Sequence, residues 1–292
     1  KYEARQQIPF ALEDVIWDFQ RMAGGQEVEG FALDTEIGLF AMKREQVQKA
    51  LAPYNVADIE VDIIQLAPIA LYNYVSYDVT KDLPEGEEYN TEAPPPSAIV
   101  LSIGTDTTDL VVTNGYRVWQ RNIPLGGNHF TKQLSKDLKL TFAKAEHLKR
   151  NPKQAEDPKA IFQAMRPVFA DLVAQIQQSV GFYTSTRRQA EVKRVIGMGR
   201  AFLLPGLGKF LQQNLQLQVD KFAGFTRAVP GPVQNTPAYV ESVVSLSVAY
   251  GAALQGLGVT TITSSLLPLE VVRVIDVGVI VEPVPVGRLT AS

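Results

Sequence analysis

Two glycine loops in different structural settings constrain the fold of this 292-residue chain more than any other feature. The first lies within Leu101–Asp109, a Thr-rich stretch flanked on both sides by strand-like runs, and the second is Val195–Gly199, followed by a helical segment that begins near Leu203. A turn of small and hydroxylated residues can offer amides and hydroxyls to a phosphate. A glycine loop that opens onto a helix can offer amides to a second part of the same ligand. The pair therefore predicts a nucleotide site.

The strands around the first loop exclude two common kinds of phosphate site. Ala98–Leu101 is predicted as a buried strand, Leu110–Val112 as the next, and Tyr116–Gln120 as a third, after the hairpin signal Asn114-Gly115. P-loop and dinucleotide-binding loops require a strand followed by a helix. A loop inside a meander of three strands belongs to neither class.

Hydrophobic spacing predicts most of the remaining elements. Apolar residues at three- and four-residue steps from Ile161 to Val180 predict a long helix with Pro167 as a kink or boundary. The remaining predicted elements are a helix within Ile8–Met22, a strand region over Glu29–Met42, helices over Arg44–Leu51 and Pro68–Tyr74, a strand over Val56–Val61, helices within Phe130–Arg150 and over Pro205–Leu215, and strands over Val192–Ile196 and Leu217–Val219.

Composition favours a globular protein with no nucleic-acid partner. The net charge is -3, with 28 basic and 31 acidic residues, and no cysteine is present. A chain without a strong positive field binds nucleic acid poorly. A chain without thiols has neither disulfides nor thiolate metal sites. The two histidines, His129 and His147, lack metal-ligand spacing.

One uncharged stretch, from Ser242 to Leu269, is long enough to cross a bilayer. It is rich in Ser, Gly, Thr and Gln, and Gly256-Leu257-Gly258 interrupts it. We therefore predict a largely buried helix from Tyr239 to about Leu257 and no transmembrane span.

Several motifs in order resemble one family, the PilM proteins of type IV pilus assembly, which are relatives of the division protein FtsA. The matching pieces are Gln6–Phe10 with Trp17–Phe19, Ile103-Gly104 with Thr107-Thr108, Ile123–Gly127 with Phe130-Thr131, Ala145-Glu146 with Leu148-Lys149, Gly197 with Gly199, and Leu204–Leu207. The first piece is fairly specific to the PilM family, whereas the glycine loops occur across actin-like proteins.

The resemblance implies an α/β, actin-like (ribonuclease H-like) fold of two lobes with mixed sheets flanked by helices. It also implies ATP with Mg²⁺ in a cleft between the lobes and a cytoplasmic location peripheral to the inner membrane. The implied partner is the N-terminal cytoplasmic peptide of PilN, with self-association as a further possibility.

Site residues follow from the resemblance position by position. Gly104, Thr105, Thr107 and Thr108 match the family's second phosphate loop. Glu146 and Lys149 match a helix that contacts the adenosine, and Gly197 and Gly199 match the adenosine loop. Both loops are expected to converge on one cleft.

Three departures weaken the expectation of ATP hydrolysis. The family's first phosphate loop, an Asp-Ile-Gly-Ser turn, has no counterpart in the sequence, and Ser102 replaces an acid that positions water on Mg²⁺. Met198 and Arg200 replace Gly and Ser in the adenosine loop. Asp106 or Asp109 could hold Mg²⁺ instead, since phosphate-bound Mg²⁺ is normally held through one or two carboxylates. At most a slow ATPase is expected.

The resemblance also gives expected domain boundaries. Residues 1–97 would be the remainder of the first lobe with its inserted subdomain, ending in the Pro-rich linker Leu83–Ser97. Residues 98–258 would be the second lobe, with a helical subdomain over about 127–190, and 259–292 a C-terminal tail. Asp276-Val277-Gly278 in that tail resembles the missing phosphate motif but lacks a following hydroxyl residue.

Three functions remain open at this stage: a PilN-binding adaptor, an active or polymerising ATPase of FtsA type, and a nucleotide-free scaffold. The tail adds one more question. Ser265–Pro268 is similar to the Asn-Leu-Leu-Pro type peptide that begins PilN tails in this family. It is either a copy that occupies the partner groove of its own or a neighbouring molecule, or an unrelated apolar turn.

Overall fold

The structure, a computed structural model, describes residues 2–22, 26–28, 31–33, 36–80, 89–90, 92–186, 191–222, 224–228 and 231–267. These residues form two compact units that do not follow chain order. Unit 1 contains residues 1–94, 113–120 and 248–292, and unit 2 contains 95–112 and 121–247. The lobe boundaries expected from the sequence stay predictions, and most of the linker and the whole of Asp276-Val277-Gly278 lie outside the described residues.

Unit 1 begins with helix α1 (Tyr2–Gln7) and strand β1 (Val15–Arg21). The short strands β2 (Gln26–Val28) and β3 (Phe31–Leu33) pair with each other, and β4 (Ile37–Lys43) returns antiparallel to β1 in the register Val15↔Lys43 to Arg21↔Ile37. Helices α2 (Arg44–Val56) and α3 (Ala67–Tyr74) follow, and every residue of α3 is buried.

Two sequence predictions in unit 1 are wrong. Residues 15–21, predicted as part of a helix, form β1, because their backbone groups pair with β4, in the register Val15↔Lys43 to Arg21↔Ile37. The strand predicted over Val56–Val61 is absent: α2 runs on to Val56, and Asp58 takes a left-handed conformation with φ 54. Left-handed backbone ends a regular element, so the alternating residues here never enter a sheet.

Unit 2 is built on a five-stranded sheet of β5 (Ser97–Ile103), β6 (Thr108–Thr113), β7 (Val118–Ile123), β8 (Val192–Met198) and β9 (Gln218–Lys221). The strand order is β7-β6-β5-β8-β9, and β8 lies parallel to both β5 and β9. The predicted three-strand meander is therefore confirmed. At its turn, Gly115 has φ 90 and the Asn114 side chain accepts hydrogen bonds from the amides of Tyr116 and Arg117. These turn residues, with the rest of 113–120, are grouped with unit 1.

Helices cover this sheet: α4 (Gly127–Asp137), α5 (Phe142–Arg150), α6 (Pro158–Thr186) and α7 (Leu207–Leu215). The long helix α6 passes through Pro167 without a boundary. Buried residues on both sides of the proline, from Ile161 to Ile176, fix the helix against its neighbours. The rings of Phe130, Phe162 and Phe210 each lie 5.1–5.5 Å from that of Phe169, so three helices share one aromatic core.

The region predicted as one helix from Tyr239 to about Leu257 contains two short helices, α8 (Pro237–Ser242) and α9 (Ser247–Gly256), separated by a 3₁₀ turn at Val243–Ser245. A single helix over Tyr239–Leu257 is thus not formed. Among the residues that the structure describes, no helix is both long and apolar enough to cross a membrane.

Candidate functional site

The two predicted glycine loops meet at one edge of the unit 2 sheet. Strands β5 and β8 run parallel, and their final paired residues are Ser102 and Met198. Gly104 and Gly199 follow directly after these strands. Because the carboxyl ends of parallel strands face the same edge of a sheet, the loops lie side by side.

Gly199 makes the closest approach between the loops. Its φ is +80, and a Cβ atom built on it would lie 2.4 Å from the carbonyl oxygen of Ile103. Its amide donates to the carbonyl oxygen of Val244 at 3.1 Å. A side chain would be strained by the backbone conformation and would collide with β5, so only glycine fits here.

Helix α4 holds the first loop, residues 104–107, in place. The amide of Gly104 donates to Thr107 O (2.9 Å), and the first amides of α4 donate to the loop: Gly127 N to Gly104 O (2.9 Å) and Asn128 N to Thr105 O (2.7 Å). These bonds use donors that a helix start otherwise leaves unpaired. The loop is therefore fixed from one side by the helix that follows the meander.

Asn128 and Gly126 strengthen the contact between the loop and the start of α4. The Asn128 side-chain amide donates to the Asp106 carboxylate at 2.9 Å. Gly126 lies against the peptide between Asp106 and Thr107, and a Cβ on Gly126 would come within 2.7 Å of the Thr107 nitrogen. Loop and helix start thus pack with no room for a side chain between them.

The outer side of the loop is open. Gly104, Thr105, Asp106 and Thr107 are all exposed. Among the described residues, the amides of Thr105, Asp106 and Thr107 have no protein acceptor, and the hydroxyls of Thr105 and Thr107 have no protein partner. Consecutive unpaired amides with neighbouring hydroxyls are groups that bind a phosphate oxygen.

Thr108 differs from its neighbours. It is fully buried, and its hydroxyl donates to the carbonyl oxygen of Leu125 at 2.6 Å. That bond joins the start of β6 to the segment before α4. Of the four predicted phosphate-loop residues, Thr108 therefore fixes the shape of the loop, and Gly104, Thr105 and Thr107 are accessible.

The two carboxylates considered for Mg²⁺ both have protein partners. Asp106 accepts the bond from Asn128, and Asp109 accepts one from the Asn122 side chain at 2.9 Å. Burial raises the pKa of Asp109, and the Asn122 hydrogen bond counteracts that rise in part. Ser102 is half-buried on β5. Within the described ranges, no group of three or more His or acidic side chains is placed to hold a metal ion.

The predicted adenosine residues Glu146 and Lys149 form a compact network on α5. The buried Lys149 Nζ donates to Gly127 O (3.0 Å) and Thr131 Oγ1 (2.8 Å) and pairs with Glu146 Oε2 (2.5 Å). An ammonium group has three protons, and these contacts use all of them. Lys149 therefore ties α5 to the start of α4, one turn from the phosphate-loop contacts.

Glu146 is held as a carboxylate by the same network. Burial raises its pKa, but hydrogen bonds from Lys149, Thr131 and Arg150, together with the Lys149 charge, outweigh burial and lower the pKa to about 2. Both oxygens are engaged, since Arg150 Nε donates to Oε1 at 2.7 Å.

Gly197 is the second-last residue of β8 and pairs with Leu101 of β5. A Cβ on Gly197 would lie 1.9 Å from ring atoms of Phe202, which is itself buried. The glycine makes room for this ring, which packs the 3₁₀ turn Arg200–Leu203 onto the strand. The structure thus brings Gly104, Thr105, Thr107 and Gly199 to one edge, with Glu146 and Lys149 behind α4 and Gly197 within the sheet.

Sequence reasoning missed two residues that position the loop, Gly126 and Asn128, and one that joins α4 to the network on α5, Thr131. The signal was present, since Gly126-Gly127 followed by Asn128 precedes a helix and follows the meander in sequence. The roles of Gly126 and Asn128 depend on contacts with residues 104–107, about twenty positions earlier, which no local pattern reveals. The role of Thr131 depends on Glu146 and Lys149 of the next helix.

Comparison with known proteins identifies the family and the fold of this chain. The sequence matches the family described as type IV pilus assembly protein PilM over residues 1–257. The structure matches a chain of the "PilM-PilN type IV pilus biogenesis complex" with a TM-score of 0.70 and 24% sequence identity, covering 88% of this chain and 70% of that one. A weaker likeness, with a TM-score of 0.46 and 15% identity over 71% of this chain and 64% of the other, is to MreB5 of Spiroplasma citri bound to ADP.

A curated relative is the cell division protein FtsA of Neisseria meningitidis serogroup B, 31% identical over 142 residues. That alignment covers 47% of this chain and spans 31% of the length of the FtsA protein. The predicted actin-like fold, with a mixed sheet flanked by helices, is confirmed. With 257 of its 292 residues matched, the chain belongs to the PilM family of type IV pilus assembly proteins.

Proposed function

We propose that this protein is an adaptor of type IV pilus assembly that binds the N-terminal cytoplasmic tail of PilN at the inner membrane. One observation carries the proposal: 88% of the chain superposes on a chain from a PilM–PilN complex. Family membership over residues 1–257 supports the same role. The adaptor would lie on the cytoplasmic face of the membrane, held there through PilN.

Nucleotide binding is the second part of the proposal. Thr105 and Thr107 would bind phosphate oxygens through their amides and hydroxyls, with Gly104 allowing close approach. Gly199 would let the ribose or base approach the end of β8. Bound ATP would then modulate closure of the lobes. Asp106 and Asp109 are the carboxylates nearest in sequence that would hold Mg²⁺, which would neutralise charge on the phosphates.

The chain's own residues favour binding over turnover. Ser102 supplies no carboxylate, and the Lys149 ammonium has all three of its protons engaged by protein oxygens. Phosphoryl transfer depends on charged groups positioned around the phosphate, and these two positions provide none. We therefore infer slow hydrolysis at most.

The partner proposal is tested by fluorescence anisotropy with a labelled PilN N-terminal peptide and the full chain. Saturable binding with a Kd below about 100 μM is expected for a docked peptide, and a peptide of the same composition in reversed order is the control. Absence of saturation up to about 1 mM, or equal binding of the reversed peptide, would contradict the adaptor role.

The likeness to FtsA favours one alternative, an active or polymerising ATPase. Magnesium-dependent phosphate release separates the two functions. The adaptor proposal expects release at the buffer rate, whereas sustained release that Thr107→Ala abolishes would support the ATPase.

A further inference from the structure

Arg200 is an exposed basic residue of the second glycine loop, and neither the fold nor the proposed function has given it a role. It follows Gly199 directly and begins the 3₁₀ turn Arg200–Leu203. Its side chain is exposed, and within the described part of the chain no hydrogen bond or ion pair holds the guanidinium group. Because Arg200 stands where the related motif has Ser, this positive charge is particular to this chain.

The residue before Arg200 touches the strand that leads into the first loop. A Cβ on Gly199 would lie 2.4 Å from the carbonyl oxygen of Ile103, and Ile103 is the last residue of β5. Strands β5 and β8 are neighbours, and neighbouring strands lie about 4.8 Å apart. An extended arginine side chain is longer than this spacing. The guanidinium group of Arg200 can therefore reach the loop that follows β5.

The residue after Arg200 touches the helix that holds the same loop. A Cβ built on Gly127, at the start of α4, would lie 3.5 Å from Ala201 Cβ and 3.6 Å from Gly104 O. The Gly127 amide donates to that oxygen at 2.9 Å. Arg200 thus lies between two contacts with the base of the loop 104–107, and all of these residues belong to unit 2.

Arg200 is also the one basic residue that the two loops contribute to this edge. Residues 104–107 carry a carboxylate, Asp106, and no basic side chain, and residues 197–201 contain no basic residue besides Arg200. The nearby Lys149 is buried, and protein oxygens that include the Glu146 carboxylate engage its three protons. A phosphate at the loop is repelled by the Asp106 carboxylate, so its binding requires a positive group that is free to approach.

The chemistry of the guanidinium group suits that requirement. The group is planar and permanently charged, and it donates two parallel N–H bonds to the oxygens of one phosphate. The amides of Thr105, Asp106 and Thr107 have no acceptor among the described residues. A phosphate on the loop would accept neutral hydrogen bonds from these amides and charged ones from Arg200.

We propose that Arg200 binds the phosphate chain of a nucleoside di- or triphosphate held on the loop 104–107. The inference rests on the proposed nucleotide binding at this edge and adds the property by which the site selects its ligand. A ligand with a phosphate chain gains the arginine contact, whereas a nucleoside without phosphate does not. Selection is therefore by phosphate charge.

Calorimetric titration of the full chain with ADP and with adenosine tests the proposal. Arg200→Gln removes the charge and keeps a polar side chain, and it is expected to lower the affinity for ADP at least about tenfold. The affinity for adenosine should change by less than about twofold, because adenosine carries no phosphate. Arg200→Lys keeps the charge without the planar fork and should lose less ADP affinity than Arg200→Gln. Arg166→Gln, at an exposed position of α6, is the matched control and should bind ADP like the wild type.

Inorganic pyrophosphate gives a second readout that involves no base or ribose. A ligand that binds the folded state raises the Tm. At constant ionic strength, pyrophosphate is expected to raise the Tm of the wild type and of Arg166→Gln more than that of Arg200→Gln. Each shift is measured against the same variant without ligand, so an effect of the substitution on stability does not enter the comparison. Equal shifts in all three proteins would contradict a phosphate contact of Arg200.

The titrations separate failure of this role from failure of the nucleotide site. Equal ADP affinity in the wild type and Arg200→Gln would overturn the role of Arg200 and leave the nucleotide site standing. Equal losses of ADP and adenosine affinity would also overturn it, by assigning Arg200 to the base or to the shape of the loop. Tighter ADP binding by Arg200→Gln would show that the arginine obstructs the site. Absence of ADP binding by the wild type would overturn nucleotide binding and the role of Arg200 together.

Discussion

The carbonyl oxygen of Ile103 lies in the space that a side chain on Gly199 would need. A Cβ on Gly199 would come within 2.4 Å of that oxygen. The end of β8 therefore lies directly against the last residue of β5, and the two loops that follow are held as one structure. The contact explains why two glycine motifs nearly a hundred residues apart contribute to a single edge of the sheet.

Replacing Gly199 should destabilise unit 2 strongly. Gly199→Ala combines a φ of +80 with the collision against Ile103 O, and a loss of about 3 kcal/mol in the free energy of unfolding is expected. Gly231→Ala is the control, because a Cβ there meets no atom within 4 Å among the described residues other than its chain neighbours, and its change should stay within about 0.5 kcal/mol. Urea unfolding measures both. Equal stability of the two variants would contradict the described contact.

Replacing Gly126 by alanine should destabilise the protein more than replacing its neighbour Gly127. A Cβ on Gly126 meets backbone atoms of Asp106 and Thr107 at 2.7 Å, whereas one on Gly127 meets its nearest atom at 3.5 Å. Gly126→Ala should therefore cost about 2 kcal/mol, because the backbone of the loop must move. Gly127→Ala should change stability by less than about 0.5 kcal/mol. Thermal unfolding compares the pair, and a larger loss for Gly127→Ala would refute the proposed packing of the loop.

Lys149 and Arg150 bind the same carboxylate from different environments. The Lys149 side chain is 7% exposed, and that of Arg150 is 59% exposed. Lys149→Met leaves Glu146, Gly127 O and Thr131 without their shared donor, and a loss of about 3 kcal/mol is expected. Arg150→Ala removes an exposed ion pair and should cost less than about 1 kcal/mol. Chemical denaturation of both variants at pH 7 tests the difference, which should vanish if Lys149 is merely a surface residue.

The acid stability of the protein should depend on Glu146. Its folded pKa of about 2 lies below the ordinary value of 4.5, so the ionised carboxylate stabilises the folded state fully above about pH 4.5. That stabilisation is lost as the pH falls from 4.5 toward 2. Glu146→Gln should therefore be less stable than wild type at pH 7 and lose less stability over this window. Glu156→Gln, at an exposed position, should follow the wild-type pH curve. The free energy of unfolding is measured against pH for each variant. Parallel curves for wild type and Glu146→Gln would contradict the role of the Glu146 hydrogen bonds.

Local sequence signals predicted the elements around the site well. The meander β5–β7 carries its own turn signal at Asn114-Gly115, and α6 has a continuous apolar stripe. The same approach failed for β1, because its pairing with β4 depends on residues after an intervening hairpin. It also failed over 56–61, where α2 runs on to Val56 and Asp58 takes a left-handed conformation.

The loops of the site could be predicted from the sequence, but the residues that hold the loops in place could not. The glycines and threonines could be recognised because their conformational and hydrogen-bonding properties are intrinsic to the residue. Whether a threonine faces outward depends on tertiary contacts, so Thr107 and Thr108 looked equivalent in sequence although one is exposed and the other fully buried. The hydrogen bond from the Gln20 side chain to Thr261 O could not be foreseen for the same reason, since the two residues are separated by most of the chain.

We propose that the edge formed by Gly104, Thr105, Thr107 and Gly199 binds a nucleotide, and calorimetric titration of ATP with Mg²⁺ tests this binding most directly. Wild type and Gly231→Val, changed at a position with open space, should bind with the same affinity. Gly104→Val, whose Cβ would lie 3.1 Å from Thr107 O, should bind at least about tenfold more weakly because the loop amides are displaced. Absence of binding heat and of displaceable nucleotide in the wild-type protein, or equal affinity in Gly104→Val, would contradict the claim.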